Sequence, residues 1–243
     1  MHLLIDNSNT RTKFALDLDG ELSTWRAVIP TAEVSTATLR KALEGQKFEK
    51  ITLCSVVPEV AALMGDFFEQ PLHQISHRSK LPITIDYPDP TKIGADRLAN
   101  SAAAILDTRG PAIVIDFGTA VTFDVISAVG AYLGGVIAPG TASLRDYLHQ
   151  KTALLPAIQL EEPRSAIGRS TEEAMQVGAV VGYRGLIREI LTEVRAELGG
   201  TPTIFATGGD AELIGKGIED IDIIDQDLTM KGIQAIGTSN HQF

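Results

Sequence analysis

Two six-residue stretches decide how this chain is expected to fold: Ile5-Asp6-Asn7-Ser8-Asn9-Thr10 and Ile115-Asp116-Phe117-Gly118-Thr119-Ala120, which begin 110 residues apart. In each, an apolar strand ends in Asp, a small residue follows two positions later, and a second β-rich run begins after a polar side chain. Short polar side chains favour a tight turn over a continuing strand. Each stretch therefore predicts a strand, a turn and a second strand. The repetition predicts a duplicated chain of two α/β halves, residues 1–110 and 111–243.

Further helices and strands are predicted in both halves from periodicity, capping residues and turn residues. One helix is predicted at residues 95–106, one is predicted to begin at Pro58, and a final helix is predicted after Leu228. A long helix or helix pair is predicted to begin at the capping box Ser170-Thr171-Glu172-Glu173 and to end at Leu198. The predicted strands are residues 50–57, 134–140 and 203–206.

Composition limits the class of protein. The 243 residues are 44% hydrophobic and 21% charged, which is typical of a globular domain with a substantial core. Because 31 acidic side chains outnumber 21 basic ones, neither nucleic acid nor an anionic membrane is an expected partner. Cys54 is the single cysteine, so no intrachain disulfide can form and a cytoplasmic location is expected. No uncharged run approaches the roughly 18 residues of a membrane span.

Several standard signatures are absent from the sequence. Gly215-Lys216-Gly217 lacks the hydroxyl residue that a Walker A loop requires, and no strand is followed by GxGxxG. His73 and His77 have no cysteine partners, which is more typical of surface histidines than of a zinc site. The nucleophile elbow GxSxG does not occur. Any nucleotide must therefore be bound in another way.

The two acidic turns suit phosphate. Small residues after a strand let backbone N–H groups approach phosphate oxygens, and a carboxylate can hold a cation that neutralises the ligand. Two facing turns would clamp a polyphosphate. The alternatives are that Asp6 and Asp116 only cap turns, that Thr10 and Thr119 only satisfy the hairpin backbone, and that the basic residues after the first turn are solvated.

A second group of residues, Gly94-Ala95-Asp96-Arg97, opens the alanine-rich helix. The first turn of a helix offers unpaired N–H groups to an anion, and an arginine can bind a carboxylate through two parallel hydrogen bonds. Asp96 is placed to accept a proton from a substrate hydroxyl, for which an ordinary pKa of about 4 would suffice. The alternative is that Asp96 is simply a favourable residue for the start of a helix.

Taken together, the motifs resemble those of the type III pantothenate kinase family, within the superfamily of actin, sugar kinases and chaperone ATPases. The resemblance spans nearly the whole chain. The Asp6 turn is similar to the family's first phosphate motif, the Asp116 turn to its second, and Gly94–Arg97 to its pantothenate motif. Further motifs occur in the family's order: Ser55-Val56-Val57-Pro58, Gly134-Gly135-Val136-Ile137-Ala138-Pro139-Gly140, Ile167-Gly168-Arg169-Ser170-Thr171 and Thr207-Gly208-Gly209.

The resemblance implies a duplicated ribonuclease-H-like (actin-like ATPase) fold, whose two subdomains have mixed sheets flanked by helices. It implies ATP-dependent phosphorylation of pantothenate to 4′-phosphopantothenate, the first step of coenzyme A biosynthesis. The implied cofactors are Mg²⁺ with ATP and a monovalent cation, K⁺ or NH₄⁺. The implied assembly is a homodimer with its active site near the interface.

Residue roles also follow from the resemblance, position by position. Asp96 would be the catalytic proton acceptor, and Asp116 would bind the monovalent cation. The pantothenate site would be lined by Tyr87, Gly94, Ala95, Asp96, Arg97 and, reaching across from the partner subunit, Thr171. ATP would contact Asp6, Asn7, Ser8, Asn9, Thr10, Arg11, Thr12, Lys13 and Thr119. Asp6 is also the candidate Mg²⁺ ligand.

Ser8 departs from the family pattern, which usually has glycine at this position. If the site required φ > 0, the Cβ would cost roughly 1–2 kcal/mol and hinder close approach to phosphate. Two other functions remain open: a kinase for another small hydroxy acid, and a non-catalytic accessory or regulatory protein on the same fold.

Overall fold

The computed structural model describes residues 1–108 and 110–241, apart from the side chains of Leu144 and Arg145. Backbone contacts divide these residues into two compact units. The first comprises the described residues up to 108, Gly130–Tyr132 and the chain from Asp227 onward, and the second comprises Gly110–Val129 and Leu133–Gln226. The last helix therefore belongs to the first unit, and the division of the sequence at residue 110 stays a prediction.

The first unit is built on a five-stranded sheet in the order β3-β2-β1-β4-β5. Its strands are β1 (His2–Asn7), β2 (Arg11–Leu18), β3 (Glu21–Pro30), β4 (Lys50–Ser55) and β5 (Leu72–Gln74). Its helices are α1 (Thr36–Ala42), α2 (Pro58–Phe67), α3 (Ala95–Thr108) and α7 (Leu228–Asn240). The short strand β6 (Thr84–Ile85) also lies in this unit, where it pairs with Ala131 and Tyr132.

The second unit repeats the pattern. Its strands are β7 (Ala112–Phe117), β8 (Ala120–Ile126), β9 (Ala131–Pro139, of which the first two residues fall in the first unit), β10 (Thr203–Thr207) and β11 (Ile223–Ile224). They run in the order β11-β10-β7-β8-β9. Its helices are α4 (Thr141–Lys151), α5 (Thr171–Val177) and α6 (Tyr183–Leu198), with a π-helical turn at Gly178–Gly182 between the last two.

The central strands of the two sheets have equivalent neighbours. β1 pairs antiparallel with β2 and parallel with β4, while β7 pairs antiparallel with β8 and parallel with β10. Asp6 and Asp116 occupy matching places near the ends of these strands, opposite Lys13 and Thr122. Both strand–turn–strand predictions are confirmed, as is the fold class of two mixed sheets flanked by helices.

Apolar packing fixes the strands on which the site is built. In the first unit, Leu3 and Ile5 face one cluster with α1 and α2, whereas Leu4 faces the cluster that contains α3 and α7. This alternation buries both faces of β1 and sets its register. A fully buried aliphatic side chain contributes about 1.5–3 kcal/mol, so β1 is a rigid support for the turn that follows it.

The capping prediction at Ser170 needs one correction. Ser170 Oγ accepts a hydrogen bond from the N–H of Glu173 at 3.1 Å, as predicted. The Glu173 carboxylate, however, accepts from the N–H of Arg169 at 2.7 Å and not from that of the N-cap residue. The glutamate side chain therefore bonds one residue before the N-cap position that a capping box would use.

No described helix of the chain is long and apolar enough to cross a membrane.

Candidate active site

The first acidic turn holds its carboxylate between two donors. Asp6 is 3% exposed; its Oδ1 accepts a hydrogen bond from Ser8 Oγ at 3.1 Å, and its Oδ2 lies 3.2 Å from Lys13 Nζ. Lys13 reaches Asp6 because the two residues are directly opposite in the β1–β2 register. A buried carboxylate needs such partners to remain charged.

Two other residues of this turn stabilise it from within. Asn7 and Thr12 are buried, and Asn7 Nδ2 donates to Thr12 Oγ1 at 2.8 Å. Ser55 Oγ donates to Asn7 Oδ1 at 2.6 Å, so the Ser55 motif contacts the first turn. These side chains therefore shape the turn, whereas Asn9, Thr10 and Arg11 are exposed.

Ser8 is not strained. Asp19 is the one described residue other than glycine that has a positive φ, at 54°, so the possible strain at Ser8 does not arise. The N–H of Ser8 instead donates to the carbonyl of Arg11 at 3.1 Å, closing the turn with a conformation that any residue can adopt. The serine hydroxyl contributes a bond to Asp6 that glycine would lack.

We expect Ser8→Gly to lower the free energy of unfolding by up to about 1 kcal/mol, because it adds backbone freedom and removes one hydrogen bond. Chemical denaturation would measure the change. Asp19→Gly is the matched variant, since glycine relieves a left-handed conformation there and should leave stability equal or higher. Equal stabilisation by both substitutions would contradict the assignment of an unstrained Ser8.

The KM for ATP should be unchanged or lower in Ser8→Gly, and a marked rise would show that the hydroxyl supports nucleotide binding.

The second acidic turn is enclosed by glycines from distant segments. Asp116 is half-buried, while Gly118 and Thr119 in the turn are exposed. A Cβ on Gly208 would lie 2.5 Å from Asp116 Oδ1 and 2.7 Å from the backbone of Phe117. Gly140 packs equally closely on the carbonyl oxygen of Thr119. The Gly134–Gly140 and Thr207–Gly209 motifs thus meet at this turn.

We expect Gly208→Ala to lower the free energy of unfolding by about 2–4 kcal/mol, since Gly208 has φ 93° and no room for a methyl group. Gly209→Ala is the matched control: a Cβ there would meet nothing within 4 Å, and its φ lies outside the left-handed region. That substitution should change stability by less than about 0.5 kcal/mol. Urea denaturation of both variants would test the packing, and equal losses would contradict it.

The third group of residues lies at the start of α3. Asp96 and Arg97 are the second and third residues of this helix, and Asp96 Oδ1 accepts a hydrogen bond from the N–H of Arg97 at 2.8 Å. Gly94 precedes the helix, and a Cβ there would collide with Asp96 Oδ1. The carboxylate is therefore held by a helix N–H donor, and the absence of a side chain at Gly94 leaves room for it.

The pKa of Asp96 is raised, which corrects the expectation of an ordinary value. Burial is the largest cause, and the negative charge of Asp6 adds to it, whereas the backbone N–H and the charge of Arg97 oppose it. The effect of Asp6 on this pKa shows that the carboxylates of the first acidic turn and of the start of α3, both in the first unit, interact electrostatically. Sequence reasoning could not find this, because the two residues are 90 positions apart.

The ring of Tyr132 lies beside Arg97, and a second aromatic ring contacts that of Tyr132. Its guanidinium carbon lies 5.7 Å from the ring centroid of Tyr132, and the ring of Tyr87 meets Tyr132 edge-on at 6.1 Å between centroids. Tyr87 is exposed and Tyr132 is fully buried. Tyr132 was not predicted from the sequence, in which the one available signal is an aromatic residue two positions before the Gly134 motif.

Thr119 and Thr171 lie in the second unit. Thr171 is the first residue of α5 and is exposed. Ser170 provides the N-cap bond, so the hydroxyl of Thr171 is not used as the cap. Its contact with pantothenate stays a prediction, as does the contact of Thr119 with ATP.

The acidic turns fit the implied cations. Among residues 1–108 and 110–241, no three His, Cys, Asp or Glu side chains form a group that could hold a metal ion. Mg²⁺ in kinases is commonly held by one or two carboxylates together with substrate phosphates, so a single Asp6 is compatible with it. Asp116 Oδ1 lies beside Gly118 and Gly208. As a carboxylate oxygen, it is a suitable ligand for a hard monovalent cation.

Comparison with known proteins identifies relatives along the whole chain. The family model of type III pantothenate kinase matches residues 2–193. The chain is 53% identical to the type III pantothenate kinase of Akkermansia muciniphila over 233 residues, covering 96% of each. It is 44% identical to that of Methylacidiphilum infernorum, covering 97% of this chain and 87% of the relative.

Solved structures show the same fold. A Campylobacter jejuni protein described as a Baf family transcriptional activator matches with a TM-score of 0.65 and 22% identity, covering 98% of both chains. A Listeria monocytogenes protein described as an N-acetylmannosamine kinase matches with a TM-score of 0.56 and 12% identity, covering 99% of both. At these identities the likeness concerns the fold alone, and both solved structures share the fold of this chain along nearly its whole length. Since the family model covers most of the sequence and a full-length relative shares more than half of its residues, the chain belongs to the type III pantothenate kinase family.

Proposed function

We propose that this chain phosphorylates pantothenate with ATP, using Asp96 as the proton acceptor. The observation that carries the proposal is the environment of Asp96, a carboxylate at the start of α3 with Arg97 beside it, whose pKa is raised chiefly by burial and further by the charge of Asp6. A raised pKa makes a carboxylate a better proton acceptor near neutral pH. The reaction delivers 4′-phosphopantothenate for coenzyme A biosynthesis.

Pantothenate carries a carboxylate at one end and a primary hydroxyl at the other. Arg97 would bind the carboxylate through two charge-assisted hydrogen bonds. Asp96 would accept a hydrogen bond from the hydroxyl, and Tyr87, Gly94 and Ala95 would line the site. Thr171 of the partner subunit would complete it.

The nucleotide would be bound by the two acidic turns. In the first turn, Lys13 and the exposed residues of positions 9–11 would contact the phosphates, and Asp6 would hold Mg²⁺. In the second turn, Thr119 would contact ATP, and Asp116 would hold K⁺ or NH₄⁺. The cations would neutralise phosphate charge. Lys13, which neutralises Asp6 in the structure, is a further positive group available to the phosphates.

The chemistry requires little movement of the proton before the phosphoryl group transfers. Because the transition state of phosphoryl transfer is loose, positioning of the nucleophile matters most. Asp96 would orient the hydroxyl and take its proton late in the reaction. The hydrogen bond from the Arg97 N–H keeps the carboxylate in one place for this task, in space that the absence of a Cβ at Gly94 leaves open.

Exposed apolar side chains of the second unit support a homodimer. Leu154 is 90% exposed and Ile167 is 77% exposed, and both lie in the segment before α5 that leads to Thr171. Strongly exposed apolar side chains in one segment are candidates for burial in a protein interface. A dimer formed through this segment would bring Thr171 near the partner, in a cytoplasmic enzyme.

The proposal is tested by following ADP release from Mg·ATP with and without pantothenate, in potassium and in sodium. We expect ADP release that depends on pantothenate and is faster in potassium. Phosphorylation of other hydroxy acids in preference to pantothenate would assign a different substrate. No pantothenate-dependent turnover under either salt would favour a non-catalytic accessory role.

A further inference from the structure

A cluster of three side chains in the first unit, Tyr87, Arg97 and Tyr132, joins three separate elements. Tyr87 follows β6, Arg97 lies in the first turn of α3, and Tyr132 is the second residue of β9. The ring of Tyr132 contacts both others, at 5.7 Å from the guanidinium carbon of Arg97 and 6.1 Å from the ring of Tyr87. Tyr132 is thus the shared neighbour of two residues proposed for pantothenate binding.

Tyr132 is held rigidly. Its side chain is 0% exposed and belongs to the cluster that also contains Leu98 of α3. Its backbone pairs with Ile85, and its carbonyl accepts a hydrogen bond from the N–H of Asp86 at 2.9 Å. A ring fixed by packing and by strand pairing has one orientation to present to its neighbours.

We propose that Tyr132 is a positioning residue that fixes the guanidinium of Arg97 for the carboxylate of the substrate. The inference rests on the proposed function and deepens it, because it assigns recognition of the substrate carboxylate to Arg97 and Tyr132 together. The hydroxy acid would bind to an arginine that is already in place.

The physical basis is the attraction between a cation and the face of an aromatic ring. Such a contact contributes about 0.5–1 kcal/mol when exposed and about 2 kcal/mol when desolvated. A free arginine loses rotamer entropy when it binds a ligand, and a restrained arginine has lost part of it already.

The test compares Tyr132→Leu, which removes the ring, with Tyr132→Phe, which keeps it. We expect Tyr132→Leu to raise the KM for pantothenate about 5- to 30-fold, which corresponds to about 1–2 kcal/mol, with kcat and the KM for ATP within about twofold. Tyr132→Phe should stay within about twofold of the wild type. The KM for pantothenyl alcohol, in which a hydroxymethyl group replaces the carboxylate, should not respond to Tyr132→Leu.

Phe14→Leu controls for lost packing, since Phe14 is a fully buried ring in another cluster of the same unit. It should lower the melting temperature without raising the KM for pantothenate. In an Arg97→Ala background, Tyr132→Leu should have no further effect on this KM. An equal rise for pantothenate and its alcohol, an additive effect in that background, or the same rise in Tyr132→Phe would overturn the inference.

A measurement without substrate separates this inference from the proposed function. Nuclear magnetic resonance relaxation of the Arg97 Nε–H bond should give a lower order parameter in Tyr132→Leu than in the wild type or in Phe14→Leu. An unchanged order parameter would overturn the positioning role whatever the substrate is. If the wild type released no ADP with pantothenate, the proposed function would fail while this measurement still decided the role of Tyr132.

Discussion

Replacement of Asp96 by asparagine is expected to lower kcat by about 10²–10⁴-fold, with a much smaller change in the KM for ATP. Asparagine keeps the shape of the side chain and can still accept the hydrogen bond from the Arg97 N–H. It cannot take a proton from the substrate hydroxyl. Steady-state kinetics of ADP release would measure the loss. Asp66→Asn, at an exposed position on α2, is the control and should retain wild-type turnover.

The same substitution should stabilise the protein. The folded-state pKa of Asp96 is raised, chiefly by burial. The charged form of this group therefore lowers the free energy of unfolding at neutral pH. That cost is present above the folded-state pKa and disappears as the pH falls through it and the group becomes protonated. The melting temperature of Asp96→Asn should therefore exceed that of the wild type at pH 7, and the difference should shrink on acidification. Near-normal turnover, or a loss of stability that is constant with pH, would show that Asp96 only starts the helix.

Replacement of Arg97 by alanine is expected to raise the KM for pantothenate about 10- to 150-fold, from the roughly 1.5–3 kcal/mol of a hydrogen bond to a charged group. The KM for ATP should change little, since the acidic turns are intact. Kinetics with pantothenate as the varied substrate would measure the effect.

Arg97→Lys provides the comparison for this prediction. Lysine keeps the charge but lacks the planar fork that binds a carboxylate through two parallel bonds. We expect an intermediate KM. If both variants kept the wild-type KM for pantothenate, the carboxylate would not be bound by Arg97.

Local patterns predicted much of the fold. The two hairpins could be read from an Asp that ends an apolar run and from the short polar residues after it, and the alanine-rich α3 from its composition. β3 was not predicted: it is a sheet-edge strand in which polar and apolar residues are mixed and half of the residues are exposed, so no continuous apolar run spans it. The packing of α7 with the first unit could not be read either, since it depends on contacts between residues more than 100 positions apart.

The site was predicted as a set of residues and not as a set of contacts. Resemblance identified the motifs, but it did not reveal that Gly140 and Gly208 pack on the Asp116 turn. Nor did it reveal that Ser8 has an ordinary backbone and bonds to Asp6. The raised pKa of Asp96 and the contact of Tyr132 with Arg97 likewise depend on tertiary neighbours. These are long-range features for which a single sequence carries no local signal.

Nucleotide binding by both acidic turns is the claim on which the other assignments depend, and calorimetric titration with Mg²⁺ and a non-hydrolysable ATP analogue tests it directly. We expect saturable heat with the wild type and at least about tenfold weaker binding, or about 1.4 kcal/mol, in Asp6→Asn and in Asp116→Asn. Asp66→Asn should bind like the wild type. No heat with the wild type, or undiminished affinity in both turn variants, would contradict the claim.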